Sequence, residues 1–173
     1  MTRLHIKDPG SAITHFIAMV LSVLAATPLL FKAYRDTGNF SLTWLSLAIF
    51  IISMILLYAA STIYHTLDIS PKVNKLLRKI DHMMIFILIA GTYTPVCMVV
   101  LGDRTGWMLL ALVWSIAIMG ITIKACWITC PKWFSSLLYI AMGWVCVLAF
   151  TKIVRALPST AFGWLLAGGI IYT

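Results

Sequence analysis

The sequence predicts an all-α protein, a polytopic bundle of transmembrane helices, and three observations lead there. Of 173 residues, 62% are hydrophobic and 10% are charged, against about 45–50% and about 25% in average soluble domains. So few charges do not cover a globular surface in water, and so much apolar side chain does not stay in a disordered chain. The charges also fall in short groups that separate uncharged runs of 18 or more residues, the length at which a helix crosses the hydrocarbon. At about 20 residues per span, the length gives one domain of at most about six segments.

Taken in order, the first span is Ile13 to Phe31. It is too long for the apolar region of a cleaved signal peptide, and four further spans follow it, so it reads as a retained helix. The second runs from Leu42 to Tyr64, the third from Met83 to Gly102, the fourth from Thr105 to Ile123 and the fifth from Trp133 to Thr151. Before the third, Ser70 and Pro71 form an N-cap and first-turn pair. Val73, Leu76, Leu77 and Ile80 then recur at helical spacing among Lys72, Lys75, Arg78 and Lys79. This is either a short basic amphipathic helix on the membrane surface or a solvated basic loop. Pro28 and Pro95 are expected to kink their spans, with Thr92 and Thr94 available to freed carbonyls. Gly91, Gly120 and Gly168–Gly169 are expected to let helices approach closely. The final run, Ala161 to Thr173, reaches about 20 Å as a helix, short of a core of about 30 Å. It is expected to be a sixth span cut short, with a re-entrant helix as the other reading.

Orientation follows from the basic residues. Lys and Arg exceed the acids by 13 to 5, giving a net charge of +8, and all five acids are Asp. In a membrane chain such an excess points to loops facing anionic lipid rather than to nucleic acid. The N-terminus and the second and fourth loops carry eight Lys and Arg, the other side five, which favours a cytoplasmic N-terminus. Trp44, Trp107, Trp127 and Trp133 fall at span ends, where aromatic belts form.

The informative positions in such a chain are polar groups at membrane depth. Tyr58, Ser61 and His65 share one face of the second helix by their spacing of three and four. Helix packing and headgroup contact would use the same residues. The orientation brings His15, His65, Asp81 and His82 toward one membrane boundary. Imidazole with carboxylate suits zinc, and a catalytic zinc takes three protein ligands and one water, whose pKa it lowers toward about 7. The spacing matches no sequential metal motif. Cys97, Cys126, Cys130 and Cys146 lie in or beside spans and read as packing thiols; Cys126 and Cys130, one turn apart, would also suit a metal or a palmitoyl group. No disulfide is expected. There is no glycine-rich phosphate loop, nucleophile elbow or His-Glu-x-x-His.

Several segments together resemble the bacterial hemolysin III family: Ser11 to His15, Ala60 to His65, Ile80-Asp81-His82 running on to Pro95, Ala141 to Trp144, and Gly168 to Thr173. The stretch Asp81 to Pro95 is the most specific. The resemblance implies a place in the wider superfamily of progestin and adipoQ receptors and alkaline ceramidases, and so a seven-helix core. Five complete helices and a partial sixth of that core are present here. It implies a zinc site with His65 as ligand. Ser61 and Asp81 would hold or activate the metal-bound water, and two further ligands would come from a His-x-x-x-His pair on a seventh helix. With one ligand of three, this chain is not expected to hold zinc by itself. Many family members carry Glu before the Thr-His of the first helix; here the segment is Asp8-Pro9-Gly10-Ser11, so that acid's part falls to Asp8 or is missing.

Three functions are therefore expected to compete. One is a zinc-dependent hydrolase of lipid amides or esters in the plasma (inner) membrane, with Ser61 and Asp81 as catalytic groups and His65 on the metal. The others are a cytolytic, pore-forming protein and a non-catalytic protein of membrane homeostasis or lipid sensing. Membrane lipids are the expected partners in each case; a proton-coupled transporter ranks last, because few ionisable residues lie at mid-depth.

Overall fold

The chain is described by a computed structural model over residues 6–127 and 132–172. Arg3 in the charge count, Cys130 in the cysteine reading and Thr173 at the end of the sixth run lie outside the described residues. Local chemistry sets each helix boundary. Helix α1 (Pro9–Thr37) opens on a proline, whose missing N–H costs nothing in a first turn, and closes at Gly38 in the left-handed region at φ 68°. Helix α2 (Leu42–Thr66) is capped by Ser41, whose hydroxyl accepts the Trp44 N–H at 3.3 Å. Helix α3 (Pro71–Pro95) is capped by Ser70, which accepts from Val73 N–H at 3.3 Å. It runs on as a π-helical segment, Val96–Leu101, that ends at Gly102 with φ 57°. Helix α4 (Arg104–Cys126) starts on the Asp103 carboxylate, 2.9 Å from Gly106 N. Helix α5 (Lys132–Trp144) leads through a 3-10 turn, Val145–Ala149, into α6 (Phe150–Ala156), and α7 (Ser159–Tyr172) follows.

Five stretches are long and apolar enough to cross a membrane: Pro9–Thr37, Leu42–Thr66, Pro71–Leu101, Arg104–Cys126 and Trp133–Ala156. They match the five spans expected from the sequence. Two details differ. The basic amphipathic segment is neither a separate surface helix nor a loop, but the first turns of α3. Ser70 starts the helix and no proline or glycine interrupts it before Gly91, so nothing ends it at the membrane boundary. The fifth span continues to Ala156 by tightening into the 3-10 turn.

Sequential helices pack side by side, and the deepest core lies between α3, α4 and the α5–α6 stretch. There Phe86, Ala90, Tyr93 and Cys97 meet Leu109, Val113 and Ala117, with Met142, Val145, Ala149 and Ile153 closing the cluster. Large apolar side chains elsewhere point outward, among them Leu24, Phe31, Leu148 and Trp164, the arrangement expected where lipid replaces water as solvent. Gly91 and Gly120 do allow close approach: a Cβ on Gly120 would lie 2.5 Å from the Phe86 ring, and one on Gly91 2.7 Å from Ser53 Cβ. Gly168 and Gly169 face open space. Among the described residues α7 packs against α6 alone, with Phe162 edge-on to Phe150 at 5.9 Å.

One buried hydroxyl joins the last turn of α3 to the irregular end of α5. The Tyr93 oxygen lies 2.9 Å from both the Met142 and Gly143 carbonyls and accepts the Cys146 N–H at 2.8 Å. These are backbone groups that α5 releases where it tightens into the 3-10 turn, and inside a membrane no water replaces the lost partners. Tyr93→Phe is therefore expected to lower stability by about 1–3 kcal/mol, read as a fall in the thermal midpoint of the detergent-solubilised protein. An unchanged midpoint would mean that the turn repairs itself. Beside it Thr94 donates to the Ala90 carbonyl at 2.9 Å and accepts from Trp114 Nε1 at 3.3 Å, while Thr92 donates to Ile89 at 2.7 Å. Both threonines thus serve carbonyls in the turn that leads to Pro95.

Candidate functional site

The segment before α1 and the last turn of α2 are stitched together by their backbones. Asp8 N–H donates to the His65 carbonyl at 2.9 Å and Lys7 N–H to Thr66 at 3.5 Å. This pairing delivers the Asp8 carboxylate to the His65 ring, with Oδ2 3.2 Å from Nδ1. Ser11, one turn into α1, donates to the same oxygen at 2.7 Å. That hydrogen bond holds the Asp8 carboxyl below its ordinary value of 3.8, with the His65 ring as a lesser contributor. On the next turn of α1, His15 stacks on His65 with ring centroids 5.6 Å apart, and lies 6.0 Å from Tyr58. Ser61 sits between Tyr58 and His65 on this face and is 5% exposed. The helical spacing read from the sequence thus corresponds to a real polar face between α1 and α2.

An imidazole whose Nδ1 donates to a carboxylate is fixed in tautomer and orientation, which leaves Nε2 as a basic lone pair. His65 can serve as a proton acceptor or as a metal ligand through that atom.

The other two residues of the expected boundary cluster make different contacts. Asp81 lies on α3 with its side chain 14% exposed, and its carboxylate is 3.7 Å from His82 Nδ1. The same His82 nitrogen is 2.7 Å from the Arg78 carbonyl, and the His82 carbonyl accepts from Tyr139 of α5 at 2.7 Å. Among the described residues, no ion pair within 4 Å joins Asp81 to His65, and no three His, Cys, Asp or Glu side chains gather in a metal-holding group. The described residues therefore do not make up a zinc site: they offer one oriented imidazole where such a centre takes three protein ligands.

The residue that spacing alone does not single out is Asp8. Its signals are that it is the one acid preceding the first span and that the family resemblance puts an acid before the Thr-His of the first helix; its partner lies 57 positions further along the chain.

The family model described as Haemolysin-III related matches residues 4–173. The chain belongs to that family. Among similar relatives, Hemolysin-3 of Bacillus cereus is 39% identical over 173 residues, covering 100% of this chain and 78% of that protein. The Hemolysin-3 homolog of Bacillus subtilis (strain 168) is 37% identical over 169 residues, covering 96% of this chain and 77% of the relative. No solved structure matches. Within a haemolysin-III chain, then, the end of α2 is held against the start of α1 through Asp8, His65 and two backbone hydrogen bonds.

Proposed function

We propose that this haemolysin-III protein hydrolyses lipid amides or esters at the membrane boundary where α1 begins and α2 ends. The observation that supports this most is the His65 imidazole, whose Nδ1 lies 3.2 Å from the Asp8 carboxylate. In this reading Asp8 keeps His65 in one tautomer, Ser61 positions the attacking water one turn deeper, and Asp81 takes part in handling its proton. Water oxygen bonds to the substrate carbonyl carbon, the amide or ester bond breaks, and the released proton goes to the leaving amine or alcohol. A zinc ion here would take His65 Nε2 as one ligand and need others that the described residues do not supply; when bound it would polarise the carbonyl and acidify water. The basic residues favour an N-terminus on the cytoplasmic side of the plasma membrane.

The test is release of labelled fatty acid from a fluorescent ceramide and a fluorescent ester lipid in phosphatidylcholine vesicles carrying the purified protein. His65→Ala is expected to lower release by at least about 100-fold, the scale of positioned proton transfer. Equal release from the variant, or none from the parent protein, would remove the hydrolase reading.

The name of the Bacillus cereus relative, Hemolysin-3, favours a second reading, cytolysis. Purified protein that empties dye-loaded vesicles well below detergent-like ratios would support it, and intact vesicles would count against it.

A further inference from the structure

Beside the His65 face, an open cleft of about 450 Å³ lies between the segment before α1, the end of α2 and the start of α3. Its walls are Lys7, Tyr64, Asn74, Lys75 and Arg78. Three of the five are cations and none is an acid, so the cleft concentrates positive potential without an internal counterion. Its volume falls in the range of small-molecule sites, about 300–1,000 Å³.

Two walls are held in place. The Lys7 ammonium sits 3.6 Å over the Tyr64 ring, a cation–π contact that fixes the charge without neutralising it. The Asn74 amide nitrogen donates to Asp68 at 2.6 Å while its oxygen accepts from Ile69 N–H at 3.2 Å. Asp68 is thereby engaged by Asn74, and neither it nor Asp8 beside Lys7 nor Asp81 beyond Arg78 is among the lining residues. Lys75 and Arg78 are three apart on α3, so they project from one face.

We propose that this cleft binds the phosphate group of an anionic phospholipid. The cations and the Asn74 amide suit a phosphate oxyanion, with Arg78 able to engage two oxygens at once. Apolar neighbours favour a lipid over the free anion: Ile6, Ile69 and Leu76 are 44%, 62% and 55% exposed, next to or near Lys7 and Lys75 in the chain. The cleft also sits where the apolar run of α2 gives way to the basic turns of α3, the level of lipid headgroups. The inference is separate from the chemistry proposed at His65, and His65→Ala is expected to keep the bound lipid.

The test is native mass spectrometry of the detergent-solubilised chain with phosphatidylglycerol, phosphatidylcholine or inorganic phosphate. One retained phosphatidylglycerol and little phosphatidylcholine are expected. Arg78→Gln should weaken retention about five-fold, and combining it with Lys7→Gln and Lys75→Gln should add a similar factor per cation, from about 1 kcal/mol per basic group near an anionic surface. Lys32→Gln with Arg35→Gln, at the other end of α1, should change nothing. Helical circular dichroism separates lost binding from lost folding. Displacement of the lipid by millimolar inorganic phosphate would assign the site to the free anion and overturn the lipid source. Retention equal in the triple variant and the parent, or equal for the two lipids, would overturn the site itself.

Discussion

Gly91→Ala is expected to destabilise the protein by about 2–3 kcal/mol, the upper part of the usual overpacking range. The added methyl would fall against Ser53 Oγ and lie 2.7 Å from Ser53 Cβ, with the Ile49 carbonyl at 3.6 Å. Ser53 has nowhere to go: it is 2% exposed, and its hydroxyl donates to the Phe50 carbonyl at 2.7 Å. The gain in helix propensity from Gly to Ala, up to about 1 kcal/mol, offsets only part of this. The obstruction is a side chain, so it can be removed: Ser53→Gly combined with Gly91→Ala should recover much of the loss. A double-mutant cycle of thermal midpoints in detergent reads the coupling. Additive effects would show that α2 and α3 do not touch there. The position matters for function because α2 carries Ser61 and His65 while α3 carries Asp81, so the Gly91 contact helps set the angle between the two helices that bear the proposed catalytic groups.

The helices and their limits were legible because lipid imposes simple requirements. Uncharged runs of about 20 residues, serine and aspartate caps and first-turn prolines each have a local cause, and local causes can be read without knowing the fold. Tyr58, Ser61 and His65 were legible as one face for the same reason. The α1–α2 contact that orients His65 was not, because it depends on the Asp8 N–H meeting the His65 carbonyl, a pairing between segments that no periodicity links. Asp81 and His82 show the limit from the other side. A shared membrane boundary says nothing of helix rotation, and the rotation of α3 decides which neighbours they meet: the His82 backbone meets Tyr139 of α5. The π-helical segment was equally hidden, since Val96–Leu101 is a plain apolar run whose irregularity depends on the close packing around it.

Polar chemistry in this fold collects at the two ends of the bundle. At the end where α4 begins, Lys152 of α6 reaches the Asp103 carboxylate at 2.7 Å and the Thr105 hydroxyl at 2.5 Å. That bond is the main reason the Asp103 carboxyl lies below its ordinary value. Asp103 thus caps α4 and anchors α6 with one side chain. At the opposite end, Asp8 takes contacts from Ser11 and His65, and His65 stacks on His15, with the basic cleft beside them. The first arrangement leaves the carboxylate saturated with donors. The second sets the His65 ring beside one carboxylate and three cations in a cleft that no acid lines, and the proposed chemistry and the proposed lipid site both draw on that difference.

Gly106→Ala is expected to be the most damaging single methyl, with loss of folded protein rather than a shifted midpoint. A Cβ at this position would fall on the backbone carbonyl oxygen of Cys97, 3.3 Å from its carbon and 3.0 Å from Leu101 Cβ. Unlike Ser53, a carbonyl cannot be trimmed by a second substitution. Relief would require moving the π-helical segment, yet Cys97 is fully buried in the core cluster and its carbonyl already accepts the Gly102 N–H at 3.2 Å. Moving it would break that bond inside a bundle where water is not available to replace it. Cys97→Ala, which removes the thiol and keeps the carbonyl, should therefore not rescue Gly106→Ala, whereas Ser53→Gly should rescue Gly91→Ala. Folded yield by size-exclusion chromatography after membrane extraction distinguishes the cases. Recovery of Gly106→Ala by Cys97→Ala would show that side-chain crowding, not the backbone, sets the approach of α4 to the π-helical segment.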